Sequence, residues 1–215
     1  MASILILVGV GHVFDIKNKI KSIIEEELPQ AIALELDMDR MRALLTKEKG
    51  KAPLFYSILS KMQEKLAKKF GTKAGGEMLA AIETAREKNI PIILIDMNAR
   101  EIVDKLWKNL SFKNKIKLLL SSFFALFMKK DEIEREIKKF EKNADEIIKK
   151  MEKEYPEIKK ILVDERNKYM AEQLRKCMEN YEKVVAFVGE GHVEGLKELL
   201  KDLKLKIVHL SKLMH

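Results

Sequence analysis

The sequence predicts an α/β fold, a mostly parallel central sheet flanked by helices, with a large helical insertion. Three observations predict it. Five short runs rich in apolar and β-branched residues recur along the 215-residue chain. Most are continuously apolar instead of alternating, as strands covered on both faces require. Segments of helical period separate them, and alternating strand and helix builds a parallel sheet.

The strands are expected at Ser3–Val8, Ala31–Leu36, Pro91–Asp96, Val184–Val188 and Leu205–Leu210. The helices between them are expected at Phe14–Glu27, Leu54–Phe70, Gly76–Lys88 and Val193–Asp202. Met1-Ala2-Ser3 runs straight into an apolar strand with no basic leader, which reads as a first strand and not a signal peptide. The alternation breaks once. From Met97 to Lys183 no run reads as a strand, and helical spacing dominates, as in Ile102/Leu106, Ile133/Ile137 and Ile147-Ile148/Met151. Pro156 punctuates this stretch and is expected to start a new helix. The chain therefore divides into an α/β core, 1–98 and 183–215, and a helical insertion, 99–182, within a single domain overall.

Composition is 47% hydrophobic and 35% charged, which excludes disorder. Gln occurs only at positions 30, 63 and 173 while Lys, Glu and Ile abound, a bias that resembles heat-adapted proteins. Cys177 is the only cysteine, so no internal disulfide forms and nothing points to an oxidising compartment. Of the net charge of +8, seven lysines fall between Lys105 and Lys130 with no acid among them. Without interleaved aromatics or a nucleic-acid motif, that patch does not argue for nucleic acid. The longest apolar stretch, Leu118 to Met128, is far short of the roughly 20 residues of a membrane span. Its Phe123, Phe124, Leu126 and Phe127 read as interior packing, with a homodimer interface or a membrane-proximal surface as alternatives. A cytoplasmic protein is expected, in contact with a membrane at most and not spanning it.

Two of the four histidines sit in the same pentapeptide, Gly-x-Gly-His-Val, at Gly9–Val13 and Gly189–Val193. Each copy follows a strand and precedes a helix, at the edge where open α/β folds bind ligands. Glycines there let the backbone turn and approach a ligand closely, so Gly9, Gly11, Gly189 and Gly191 are the candidate binding glycines. The next helix offers N–H groups and positive potential. A dinucleotide fingerprint is only half present, since Phe14 and Glu194 occupy the third glycine's slots. An imidazole in the turn has no role in that motif. Imidazoles suggest metal ligation or proton transfer instead.

Carboxylates complete the pattern. Glu35 and Asp37 fall on one face of the second strand by its period of two, and Asp96 ends the third. Glu35 lies inside an apolar run, which favours a buried, purposeful acid. Asp37 has the bland alternative of a loop acid, and Glu77, after Gly75-Gly76, that of a helix-terminus charge. His12, His192 and Glu35 make a workable ligand set for Zn, Mn or Co with an open water position. Glu77 or Asp96 would then move the proton. Arg166 is placed to stabilise an oxyanion or clamp a carboxylate, against the bland reading of a surface arginine.

At these residues the chain resembles the TraB/PrgY family, the group of the pheromone-shutdown proteins. The likeness is carried, in order, by Gly9 to Val13, Ala33 to Arg40, Gly75 to Ala81, Leu106 to Phe112, Val163 to Ala171 and Val184 to Gly195. That family is related to Tiki-type metal-dependent proteases and, more distantly, to erythromycin esterase and the ChaN haem-binding proteins. The resemblance implies that His12 and His192 are the paired Gly-x-x-His histidines, Glu35 the second-strand glutamate and Arg166 the arginine of a Glu-Arg motif. It implies metal-dependent hydrolysis of a peptide. Two departures stand out. Asp96 is followed by Met97 where the family has arginine, so that arginine's role is absent or moved to Arg100. The hydrophobic membrane region that often follows this domain is also missing before His215, the expectation being a soluble member or a shortened chain.

Two functions are therefore expected from this site. One is a metal-dependent hydrolase of a peptide or small amide, and the other a non-catalytic protein that sequesters a peptide in the same cleft. Nucleotide binding at the glycine turns is a weaker third.

Overall fold

The computed structural model describes residues 3–11, 16–46, 75–111, 149, 152, 153 and 155–213. The expected helix Leu54–Phe70, the Phe123–Phe127 patch, the isoleucine pairs at 133/137 and 147/148, and His12 lie outside these residues. Of the lysine-rich stretch only Lys105 and Lys108 are described.

The apolar runs form five strands, β1 Ile4–Val10, β2 Ala31–Leu34, β3 Ile92–Leu94, β4 Lys183–Gly189 and β5 Leu205–Val208. Every pairing is parallel, in the order β3-β2-β4-β1-β5. The fold class is α/β, as the alternation predicts. The three inner strands β1, β2 and β4 are almost wholly buried, which explains why they lack a polar alternation.

Helices cover both faces. Beneath one face lie α1 Lys17–Glu27, α2 Met38–Thr46 and α3 Gly76–Glu87. Ile20, Ile24, Met78 and Ile82 pack there on Ile6, Val8, Ile32 and Phe187. After β3 the chain enters α4 Ala99–Asn109, whose first turn is capped by the Asn98 side chain accepting from the Arg100 N–H. Pro156 begins the one-turn helix α5 Pro156–Lys159, in the position where proline's missing N–H costs nothing. A π-helical turn, Lys160–Asp164, joins it to α6 Glu165–Asn180. The second face is covered by α6 and by α7 Glu190–Leu199, through Met170, Leu174, Cys177, Val193 and Leu196 on Leu5, Leu7, Ala186 and Val188. A last turn, α8 Leu210–Leu213, follows β5.

Among the boundaries that differ from expectation, three have local reasons. β1 runs on to Val10 because Gly9 and Val10 pair with Val188 and Gly189. β2 stops at Leu34, so Glu35 and Asp37 stand in the turn beyond the strand and not on its face. The fifth strand ends at Val208, where the backbone turns into α8.

The connection from β1 passes to one face and that from β4 to the other, and the two strands are neighbours. A crevice opens at the carboxyl ends of such a pair. Gly9 to Gly11 and the second glycine–histidine segment are therefore set at its rim by the sheet topology.

Phe187 is fully buried in the middle of β4 and packs among Ile6, Val8 and Ile32. Phe187→Ala should destabilise the fold by about 3–5 kcal/mol, measured as a lowered denaturation midpoint at unchanged slope.

Candidate functional site

The carboxyl edge of the sheet gathers charged groups that the core would otherwise exclude. Glu35 follows β2 and Asp96 follows β3, and both are buried. Ionised carboxylates tolerate such burial only when paired. Arg166, in the first turn of α6, supplies the pairing. Its Nε donates to Asp96 Oδ1 at 3.0 Å and its Nη2 to Asp96 Oδ2 at 2.7 Å. The same Nη2 donates to Glu35 Oε1, and Nη1 donates to the Leu162 carbonyl at 3.2 Å. Burial alone would lower the pKa of this guanidinium, but the two carboxylates outweigh it and hold Arg166 firmly charged. The bland reading of Arg166 as a surface arginine is excluded by these contacts.

A second arginine joins from α2. Arg40 pairs with Asp96 Oδ2 and donates from Nε to Asp37 Oδ2 at 2.9 Å. Asp37 is buried, caps α2 by accepting from the Arg40 N–H at 2.9 Å and accepts from the Ala99 N–H at 3.0 Å. It ties two helices together, which the loop-acid reading missed. Asp96 Oδ1 also accepts from the Met97 N–H at 2.8 Å. Arg100 lies apart, half-exposed and 3.6 Å from Asp39. The second cationic partner of Asp96 is thus Arg40, and the place that Met97 leaves without an arginine is not filled by Arg100.

His192 is the described imidazole of the site. It stands in the first turn of α7 and not in a loop before it, because the helix starts at Glu190 directly after β4. Its Nδ1 lies 2.6 Å from Asn167 Oδ1 and its Nε2 lies 3.5 Å from Glu35 Oε1. Nδ1 thus faces the Asn167 side-chain oxygen and Nε2 faces the Glu35 carboxylate. Burial pushes the His192 pKa below the ordinary histidine value, against the pull of Glu35. The ring is therefore neutral at physiological pH. His12 lies outside the described residues. Its expected partner segment is nonetheless adjacent, since Val10 pairs with Gly189.

The glycines serve close approach. The Gly189 N–H donates to Glu35 Oε2 at 2.6 Å, and an added Cβ there would stand 3.3 Å from that oxygen. A Cβ on Gly9 would meet Glu190 Oε2 at 1.9 Å. That carboxylate is the wrong charge for a dinucleotide phosphate, which argues against the nucleotide reading. Glu190 also bonds His209 Nδ1 at 2.7 Å and the Leu210 N–H at 2.8 Å. Gly11 is buried just past β1, and Gly191 lies in the first turn of α7. Glu77 is buried in the first turn of α3, after Gly75 with a left-handed φ of 76°.

Arg40, Asn167 and Glu190 are the site residues that sequence reasoning did not single out. The same signal existed for all three: Arg40, Asn167 and Glu190 stand inside the quoted segments Ala33 to Arg40, Val163 to Ala171 and Val184 to Gly195. Among the described residues no group of three His, Cys, Asp or Glu side chains is placed to hold a metal ion. No helix among them is long and apolar enough to cross a membrane.

Comparison with known proteins gives the chain a family. The family model described as TraB/PrgY/gumN matches residues 2–207. An uncharacterized protein of Methanocaldococcus jannaschii is 35% identical over 217 residues, covering 92% of this chain and 53% of that protein. The chain thus spans about half the length of this curated relative.

Two measurements check the site's energetics. Arg166→Ala, which leaves Glu35 and Asp96 buried without their shared cation, should cost roughly 3–5 kcal/mol of folding stability. The His192 shift gives a signed pH dependence. The unfolded chain takes up a proton near pH 6.5 that the folded ring resists, so His192 stabilises the fold above that pH. This contribution is lost as pH falls, with a slope approaching 1.4 kcal/mol per pH unit until the folded pKa is reached. Urea titrations of chelator-treated protein at pH 7.5 and 5.5 should show a larger loss for the native chain than for His192→Gln.

Proposed function

The chain belongs to the TraB/PrgY/gumN family, and from that premise we propose that it is a hydrolase of a peptide or small amide working at the β1–β4 crevice. One observation carries this reading. The buried imidazole of His192 presents its Nε2 3.5 Å from the carboxylate of Glu35, beside a buried guanidinium.

The donor chemistry of these two groups fits a divalent ion such as Mn, Co or Zn. His192 has its far nitrogen anchored by Asn167, the support that metal-bound imidazoles commonly have. His192 and Glu35 would hold the ion together with His12. When bound, such an ion lowers the pKa of a water and polarises a carbonyl.

The chain's own residues supply the rest. Arg166 has five N–H donors, and four are engaged among the described residues. The fifth, on Nη1, is left to orient the scissile carbonyl oxygen and to stabilise its developing charge. The first turn of α7 adds positive potential at the same rim. Asp96 accepts from Arg166, Arg40 and the Met97 N–H with both oxygens. It is a positioning acid held by these donors, and we assign proton transfer to Glu77, buried in the first turn of α3.

The engagement of Glu35 and Asp96 by arginine and backbone donors favours a second reading. Acids so occupied would equally shape a cleft that sequesters a peptide without cutting it.

Metal analysis on protein purified without chelator decides between them. The hydrolase reading expects near-stoichiometric Mn, Co or Zn, lost in both His12→Ala and His192→Ala. It also expects Glu77→Gln to lower kcat on a cleaved peptide about 100-fold or more with KM little changed. A metal-free chain that binds peptides and returns them intact establishes the sequestering reading.

A further inference from the structure

A cleft of about 320 Å³ opens on the far side of His192 from Glu35, between α6 with its π-helical turn and the start of α7. Lys149, Lys159, Asp164, Asn167, Glu194 and Gly195 are among the residues that line it. Three features of this cleft point to a ligand.

The first is Asn167, which is only 4% exposed. Its Oδ1 is spent on His192, and its Nδ2 donates to no described residue. A buried amide donor without an acceptor is rare in folded proteins and asks for a partner from the cleft. Gly195 keeps it there, since a Cβ on that residue would stand 2.1 Å from Nδ2. The second is charge. Lys159 is tied to Asp164 at 2.9 Å and Glu194 to Lys197 at 2.9 Å, so these charges are already matched. Lys149 forms no ion pair with a described residue, so its charge is the one in the lining that no described partner matches. The third is size, because the volume suits an amino-acid residue and exceeds what a bare ion fills.

Resting on the hydrolase reading of the neighbouring site, we propose that this cleft is a subsite for a carboxylate-bearing residue of the substrate peptide. Lys149 meets the carboxylate charge and Asn167 Nδ2 donates to one of its oxygens. Because Asn167 also holds His192, the same side chain links recognition in the cleft to the geometry of the candidate catalytic imidazole.

The carboxylate is either a free C-terminus or an acidic side chain, and three peptides separate these. Calorimetry on the full chain would compare N-acetyl-trialanine with a free carboxylate, the same peptide amidated, and N-acetyl-Ala-Glu-Ala amide. One carboxylate peptide should bind at least about tenfold more tightly than the neutral amide. Which of the two it is identifies the carboxylate. Lys149→Ala should reduce the preference to near unity, while Lys201→Ala, which changes the net charge equally at a residue paired with Glu198 outside the lining, should keep it. Equal affinity for all three peptides, no binding of any, or a preference that survives Lys149→Ala overturns the proposal. Product analysis on the same samples keeps the two readings apart. Preferential binding without cleavage sinks the hydrolase and leaves the subsite, whereas cleavage indifferent to the carboxylate does the reverse.

Discussion

The carboxyl edge of this sheet depends on one buried guanidinium. Arg166 bonds Asp96 through two donors and Glu35 through a third, and these acids follow β3 and β2 respectively. Each group would be costly to bury alone, and only their convergence makes burial tolerable. The arrangement is therefore all-or-none. Once α6 docks, the turns after β2 and β3 are fixed relative to each other, and Glu35 is fixed relative to the Gly189 N–H at 2.6 Å. Arg40 extends the lock to α2 through Asp96 and Asp37. Such pairs add less net stability than their number suggests, because desolvation offsets the attraction. Their contribution is specificity of position, which a site with sub-ångström demands requires.

That lock also explains the state of His192. The ring sits where a cation, Arg166, and an anion, Glu35, both act on it, and burial decides the balance towards the neutral form. Removing the guanidinium would leave Glu35 as the dominant neighbour and favour an imidazolium. The arginine thus does more than neutralise acids: its charge opposes protonation of the ring. Asn167 holds the ring from the other side, its Oδ1 lying 2.6 Å from Nδ1.

The sheet was legible in the sequence because inner strands of a parallel sheet are marked by burial on both faces. Leu5-Ile6-Leu7-Val8 and Val184 to Val188 could only be strands of that kind. Strand ends were less legible, since Glu35 and Gly9 owe their places to partners far along the chain: the Phe187 carbonyl, which accepts from the Glu35 N–H, and the Val188 register. The candidate site shows the same division. Glu35 betrayed itself as an acid within an apolar run, and His192 by its repeated pentapeptide. Arg40 and Asn167 carry no such mark, because a helical arginine or asparagine has the same local pattern whether it faces water or a buried acid. Only the tertiary arrangement separates these cases.

The two glycine–histidine segments are alike in sequence but not equivalent in structure. Where the first copy has Val10, the second has Glu190, and that carboxylate lies against Gly9 of the first copy, in space that any side chain there would need. The same carboxylate accepts from the Leu210 N–H and meets His209 Nδ1, so it pins the chain after β5 to the rim as well. A symmetric pair of glutamates could not occupy this place, since two carboxylates would then crowd one glycine. The asymmetry makes the second segment a wedge and the first its slot. The glycine of the first segment is thus explained by the acid of the second, through contact between adjacent strands and without any ligand. Of the features the two segments share, packing between adjacent strands and turns accounts for the first glycine of each, Gly9 against Glu190 and Gly189 against Glu35.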